Sequence, residues 1–209
     1  MVRFALLCLA AFALPALALA EPGYFRVTGV AADDTLNVRA GPSASSADIG
    51  DLAPDTRGIE VAGTDASGKW GSILWEEGNG WIAMRFLAPD AVAPIGDTIL
   101  PAGLLCTGSE PFWSLRMSPA SATFQDVSGV GHVMSLAGTR VAEGRLSEPV
   151  QISLSGATAG SLGIVSAASC SDGMSDRTYP WTISYILNSD AGQRFLSGCC
   201  HLPLDHGFH

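Results

Sequence analysis

Residues 36–43 read Leu36-Asn37-Val38-Arg39-Ala40-Gly41-Pro42-Ser43. Strand side chains alternate between faces, so Leu36 and Val38 share one face and Asn37 and Arg39 the other. Gly41-Pro42 then ends the strand and fixes a turn. The same short blocks recur outward from this point, at Ile59/Val61, Trp70/Ser72/Leu74 and Trp81/Ala83. Turn signals separate them: Asp33-Asp34, Asp65-Ala66-Ser67-Gly68 and Glu77-Gly78-Asn79-Gly80. Strands this short, spaced roughly 8–12 residues apart, predict a small β-barrel.

The stretch Leu36–Ser43, together with Lys69-Trp70, Gly80-Trp81-Ile82-Ala83 and the closing Phe86-Leu87, resembles the bacterial SH3 (SH3b) family over residues 24–88. The resemblance implies a small SH3-like barrel used for binding in cell-envelope proteins, with peptidoglycan or an envelope peptide or protein as partner. Three tryptophans, Trp70, Trp75 and Trp81, are too many large rings for so small a core to hide completely. Trp70 and Trp81 read as core or half-core residues. Trp75, beside Glu76-Glu77, reads as the exposed ring that would stack on a ligand, with Asn37 and Arg39 as polar companions.

Residues 88–103 contain three prolines and no clear period, and 89–100 reads as a linker. Beyond it, Phe112–Met117, Ala122–Val127, Val150–Leu154, Gly163–Ala167 and Trp181–Leu187 alternate or run apolar over strand lengths. The C-terminal unit, 101–204, is therefore expected to be a β-sandwich or a β-barrel of about six to eight strands. The whole chain reads as all-β.

Three motifs mark that unit: Gly108-Ser109-Glu110-Pro111-Phe112-Trp113, Cys170-Ser171-Asp172-Gly173-Met174-Ser175-Asp176 followed by Tyr179-Pro180, and Gly198-Cys199-Cys200. Together they resemble an uncharacterised family of bacterial envelope proteins, which implies the same kind of domain and no particular activity. A glycine closely followed by Trp113 at the start of a small barrel is also similar to lipocalin-like proteins, which implies, as an alternative, a small-ligand cavity under that ring.

Cys106, Cys170, Cys199 and Cys200 all lie in this unit. An even count in an exported domain points to two disulfides. Four cysteines allow three connectivities. One contains a vicinal Cys199–Cys200 bond in a strained small ring. In the other two, adjacent residues on an extended segment face opposite ways, so Cys199 and Cys200 each reach a different partner, Cys106 or Cys170, and both pairings stay open. Closing the long loop from Cys106 to the C-terminus contributes about 4–5 kcal/mol in the chain-entropy model. A competing reading makes Cys199, Cys200, His201, His206 and His209 a metal site, but no C-x-x-C or H-x-x-x-H spacing supports it. The expectation is no metal and no cofactor.

The polar candidates for a surface site are Glu110, Asp172, Asp176 and Tyr179. Two carboxylates four positions apart could form an acid/base pair of a hydrolase. An Asp in Ser-Asp-Gly-Met-Ser-Asp more simply bonds its own backbone in an Asx turn. No G-x-S-x-G, H-E-x-x-H or glycine-rich phosphate loop is present, so the expectation is a binding protein and not an enzyme.

The formal net charge is −9, with 20 acidic against 11 basic residues. That sign disfavours nucleic acid as a partner. Arg3, the apolar run Phe4–Leu19 and Ala18-Leu19-Ala20 before Glu21 read as a signal peptide at 1–20. The run is shorter than the roughly 20 apolar residues a spanning helix needs, so no stable membrane span is expected after cleavage. Residues 205–209 read as a tail. These features predict a periplasmic or secreted protein.

Overall fold

The computed structural model describes residues 22–129 and 131–204. The expected signal peptide at 1–20 and the tail at 205–209, with His206 and His209, lie outside the described residues.

The N-terminal half contains eight short strands: β1 (Gly23–Val27), β2 (Leu36–Arg39), β3 (Asp48–Leu52), β4 (Ile59–Val61), β5 (Gly63–Thr64), β6 (Trp70–Trp75), β7 (Gly78–Ala83) and β8 (Leu87–Pro89). They form two sheets, β4-β1-β8 and β3-β2-β7-β6-β5. Both sheets pack on one apolar core of Val27, Leu36, Val38, Leu52, Ile59, Val61, Ile73 and Ile82. In β2 the expected alternation holds, with Leu36 and Val38 buried and Asn37 and Arg39 half-buried on the other face. In β6 and β7 the inward residues are Gly71, Ile73, Gly80 and Ile82, while Trp70, Leu74 and Trp81 lie half-buried on the opposite face. The two glycines are why. A Cβ on Gly80 would sit 2.3 Å from a Val38 methyl, and one on Gly71 would sit 2.9 Å from Val61. At Gly71 bare backbone brings the two sheets together, at Gly80 it makes room for Val38 of the neighbouring strand, and glycine leaves no hydrophobic signature in a sequence.

The C-terminal half is a single meander of eight antiparallel strands: β9 (Leu105–Ser109), β10 (Phe112–Met117), β11 (Ser121–Asp126), β12 (Gly131–Val141), β13 (Val150–Ser155), β14 (Ala159–Cys170), β15 (Tyr179–Ser189) and β16 (Gly192–His201). The last strand pairs with the first, Cys200 opposite Cys106 and Cys199 opposite Thr107, and this closes the barrel. Of the two architectures expected, it is the barrel. Its inward positions are mainly apolar: Trp113, Leu115, Phe124, Met134, Trp181, Ile183, Tyr185 and Leu187 are all buried, with Ser161 of β14 a polar exception. The Trp113, Phe124 and Tyr185 rings stack with centroids 5.6–6.1 Å apart, within the range where aromatic pairs add to area burial. This ring cluster occupies the interior where the lipocalin comparison implied a ligand cavity.

Residues 89–100 do more than connect. Ile95 and Leu100 are fully buried in the barrel core, and the Ile95 N–H donates to the Leu100 carbonyl at 2.8 Å. Asp90, at the start of the segment, is pinned by the Arg57 guanidinium and by the Gly58 N–H at 3.0 Å. Its pKa is held at about 2, first by Arg57. An apolar pair amid prolines and glycines has no strand or helix period, so composition alone reads as a linker.

Both disulfides form. Cys106–Cys200 crosses the closing seam inside the barrel, and Cys170–Cys199 lies on the outer side. The opposite facing of two adjacent strand residues lets one short segment hold two bridges. A fold carrying two disulfides fits an oxidising compartment rather than the cytosol. Among the described residues no helix is long and apolar enough to cross a membrane.

Candidate functional site

The segment from Cys170 to Pro180, between β14 and β15, organises the polar chemistry of the molecule. Asp172 is its pivot. One carboxylate oxygen accepts the N–H groups of Met174 at 3.0 Å and Ser175 at 2.9 Å. The other accepts the hydroxyls of Ser175 and Tyr179, each at 3.0 Å. Burial pushes the Asp172 pKa up, but the amides of Met174 and Ser175 and the two hydroxyls outweigh it and hold the group at about 2. This is the Asx-turn role. Asp172 and Tyr179 are brought together, but as the frame of a loop and not as a free acid.

Asp176 does not join them. Its side chain is exposed, and its N–H donates to the Glu77 carbonyl at 3.1 Å. Glu110 is also exposed, on the β9–β10 turn. The candidate acid/base pair is thus not assembled, because Asp172 has spent its lone pairs on the loop and the Asp176 side chain is exposed with no bond to Asp172. The competing metal reading loses its ligands too, since Cys199 and Cys200 are both in disulfides. Among the described residues no group of three or more His, Cys, Asp or Glu side chains could hold a metal ion.

On the N-terminal half, Asn37 and Arg39 do share a face, and both turn to Asp48. The Asn37 amide donates to the Asp48 carboxylate, and the Arg39 guanidinium lies 3.6 Å from the same oxygen. Trp75 is not the exposed platform the sequence suggested. Its indole N–H donates to the Ile49 carbonyl at 3.1 Å, and its ring lies so close over Gly50 that a Cβ there would be 2.3 Å away. Trp75 is half-buried nonetheless and borders a cleft of about 190 Å³ with Leu74, Arg177 and Leu202. Trp81 offers a second ring. It is half-buried in a mainly apolar groove of about 220 Å³, lined by Gly63, Thr64 and Ser72 on its own half and by Ala167, Ala168 and Pro180 on the barrel.

The groove exists because the two halves are joined, and the joint carries a residue that sequence reasoning missed. Glu60, in β4 between Ile59 and Val61, points away from its own core and into the barrel. Its carboxylate accepts the Trp181 indole N–H at 2.9 Å, the Leu202 N–H at 2.8 Å and the Tyr24 hydroxyl at 3.3 Å. Burial pushes the Glu60 pKa up to about 7 despite these three donors. Around it, Asn79 and Thr178 exchange two hydrogen bonds, at 2.7 and 3.3 Å. Arg177 donates to the Glu76 carbonyl and lies 3.5 Å from the Glu77 carboxylate. Leu204, after the last strand, packs on the N-terminal core. Alternation alone places Glu60 outward from the small core; only the fold reveals that outward means buried.

A wide cleft lies on the outer wall of the barrel, beneath the Cys170–Met174 loop. It is open, about 560 Å³, and bounded by Thr107, Ser109, Glu110, Ser184, Ser197 and the Cys170–Cys199 bridge. Compared with known proteins, the chain matches no family model, no curated protein and no solved structure.

Proposed function

We propose that this protein is an exported binding protein of the cell envelope with no catalytic role, in which the N-terminal half acts as an SH3b-like module that recognises peptidoglycan, through its peptide, or another envelope peptide. The observation that carries the reading is the Trp81 groove. It offers a half-exposed indole, small neighbours that leave the ring face open, and edge strand β5 alongside. An unpaired sheet edge next to an apolar slot suits an extended peptide, whose main chain pairs with the edge while a side chain enters the slot. The acidic chain favours neutral or basic peptides over anionic ones.

The unassembled carboxylates favour binding over hydrolysis. The barrel serves this reading as one wall of the groove, held in place by Glu60, Asn79 and Arg177. A periplasmic or secreted location belongs to the same proposal, supported by the signal-like leader and the two disulfides.

The test is calorimetric titration of the full chain with peptides released from purified cell wall. Binding that weakens about tenfold in Trp81→Ala, the effect of losing one central aromatic anchor, supports the reading. Equal binding by wild type and Trp81→Ala overturns it.

A further inference from the structure

The barrel wall carries a second surface that the Trp81 groove does not use. Its strands are closed, so every edge is paired and no peptide can add to it as a strand. What it offers is hydroxyl groups in register. Thr182, Cys199 and Thr107 form one transverse row on the outer face, and Ser184 sits opposite Ser197 in the next. The hydroxyls of Thr107, Ser184 and Ser197 make no hydrogen bond among the described residues. Each can both donate and accept.

The cleft above these rows, about 560 Å³, adjoins a second open cleft of about 330 Å³, and both are lined by Thr107 and Gly108. The second cleft is lined by Phe112, which is 49% exposed. Together they fall within the size range of small-molecule sites. The roof is fixed rather than loose. Cys170–Cys199 ties it to the wall, and the Ser109 hydroxyl donates to the Asp172 carbonyl at 2.8 Å.

Charge narrows the ligand. No lysine or arginine lines either cleft, so neither phosphate nor a sulfated or uronic chain finds a counter-charge. Of the acids present, Asp172 is committed to its loop and Asp126 to Arg194 at 2.7 Å, while Glu110 stays exposed at the rim and disfavours anionic ligands. Apart from Phe112 there is no deep apolar slot to sort peptide side chains. Paired donors and acceptors along a flat wall, with one exposed ring at the end, match a chain of neutral sugar residues.

We propose that the outer wall of the barrel is a binding groove for a neutral oligosaccharide, running from Ser184 and Ser197 across Thr107 to the ring of Phe112. Sugar hydroxyls replace the water on the Ser/Thr rows, and one sugar face lies on the Phe112 ring.

The test is titration of the full chain with chitotetraose, cellotetraose and maltotetraose, alongside a sulfated tetrasaccharide and a neutral tetrapeptide. Two variants change exposed positions and leave the core intact: Ser197→Tyr, which fills the cleft, and Phe112→Ala, which removes the ring. At least one neutral tetrasaccharide is expected to bind, with affinity lowered about tenfold or more by each variant and unchanged in Trp81→Ala. The proposal is overturned if no neutral tetrasaccharide binds at millimolar concentration. It is equally overturned if Ser197→Tyr and Phe112→Ala bind as wild type, or if the sulfated chain or the tetrapeptide binds this groove better.

Discussion

The Glu60 carboxylate accepts the Trp181 indole N–H at 2.9 Å across the joint between the two halves. Glu60 belongs to the edge strand of a three-stranded sheet, while Trp181 is part of the barrel core. This one contact couples a titratable group to the relative placement of the walls of the Trp81 groove.

The coupling gives stability a definite pH profile. The folded pKa of Glu60, about 7, lies above its ordinary value of 4.5. Its contribution is therefore complete below about pH 4.5 and is lost as the pH rises through 7, to the extent of about 3 kcal/mol. Glu60→Gln keeps an acceptor for Trp181 and removes the charge. Denaturant titrations from pH 5 to pH 8 should show the wild type losing stability across that window and the variant nearly flat. Parallel profiles for the two proteins would contradict the assignment.

The two bridges differ in reach. Cys106–Cys200 spans a sequence separation of 94, and Cys170–Cys199 one of 29. In the chain-entropy model they contribute about 5 and about 4 kcal/mol. The paired change Cys106→Ser/Cys200→Ser should therefore lower the denaturation midpoint more than Cys170→Ser/Cys199→Ser. The second variant should instead loosen the Cys170–Met174 roof, read as faster amide exchange there.

Gly108 and Gly198 flank the Trp113 indole inside the barrel. A Cβ on Gly108 would lie 2.0 Å from the indole nitrogen, and one on Gly198 only 2.1 Å from the Thr107 carbonyl. The Gly108 Cβ would also lie 2.8 Å from the Ser197 carbonyl. Backbone cannot yield cheaply, so Gly198→Ala and Gly108→Ala should each cost about 3 kcal/mol or more. Thermal unfolding of the two variants measures both losses.

Asp172 offers the opposite pH sign from Glu60. Its folded pKa, about 2, is depressed, so its contribution is present above the ordinary carboxylate range and lost as the pH falls toward 2. Asp172→Asn should accelerate amide exchange at Met174 and Ser175 while the barrel strands keep their protection. Unchanged exchange at both amides would show that the carboxylate does not hold the loop.

Much of this fold is legible in the sequence where alternation is clean. Phe112–Met117 is a strand with the bounds its pattern suggests, and Val150–Leu154 and Trp181–Leu187 lie within β13 and β15. β12 is not legible, because Gly131–Val141 is mostly exposed and its apolar residues keep no steady period. The cysteine argument reached two bridges and the opposite facing of Cys199 and Cys200, but the pairing needed the closing seam. The tryptophans show the limit most plainly. Local charge beside Trp75 suggests exposure, whereas Gly50 and Gly80 let that ring pack against the sheet, and alternation in β7 places Trp81 on the face that lines the groove. Glu60 was invisible for a related reason: its burial depends on a second unit more than a hundred residues away in the chain.

The most direct measurement uses the chain's five tryptophans, whose indole N–H groups give separate resonances in a nitrogen-proton correlation spectrum. Peptides released from cell wall are added to the full chain. The account expects the Trp81 resonance to shift with occupancy, together with the amides of Gly63, Thr64 and Ala168, while Trp75 and Trp113 stay in place. A silent Trp81, with shifts elsewhere or none at all, would contradict it.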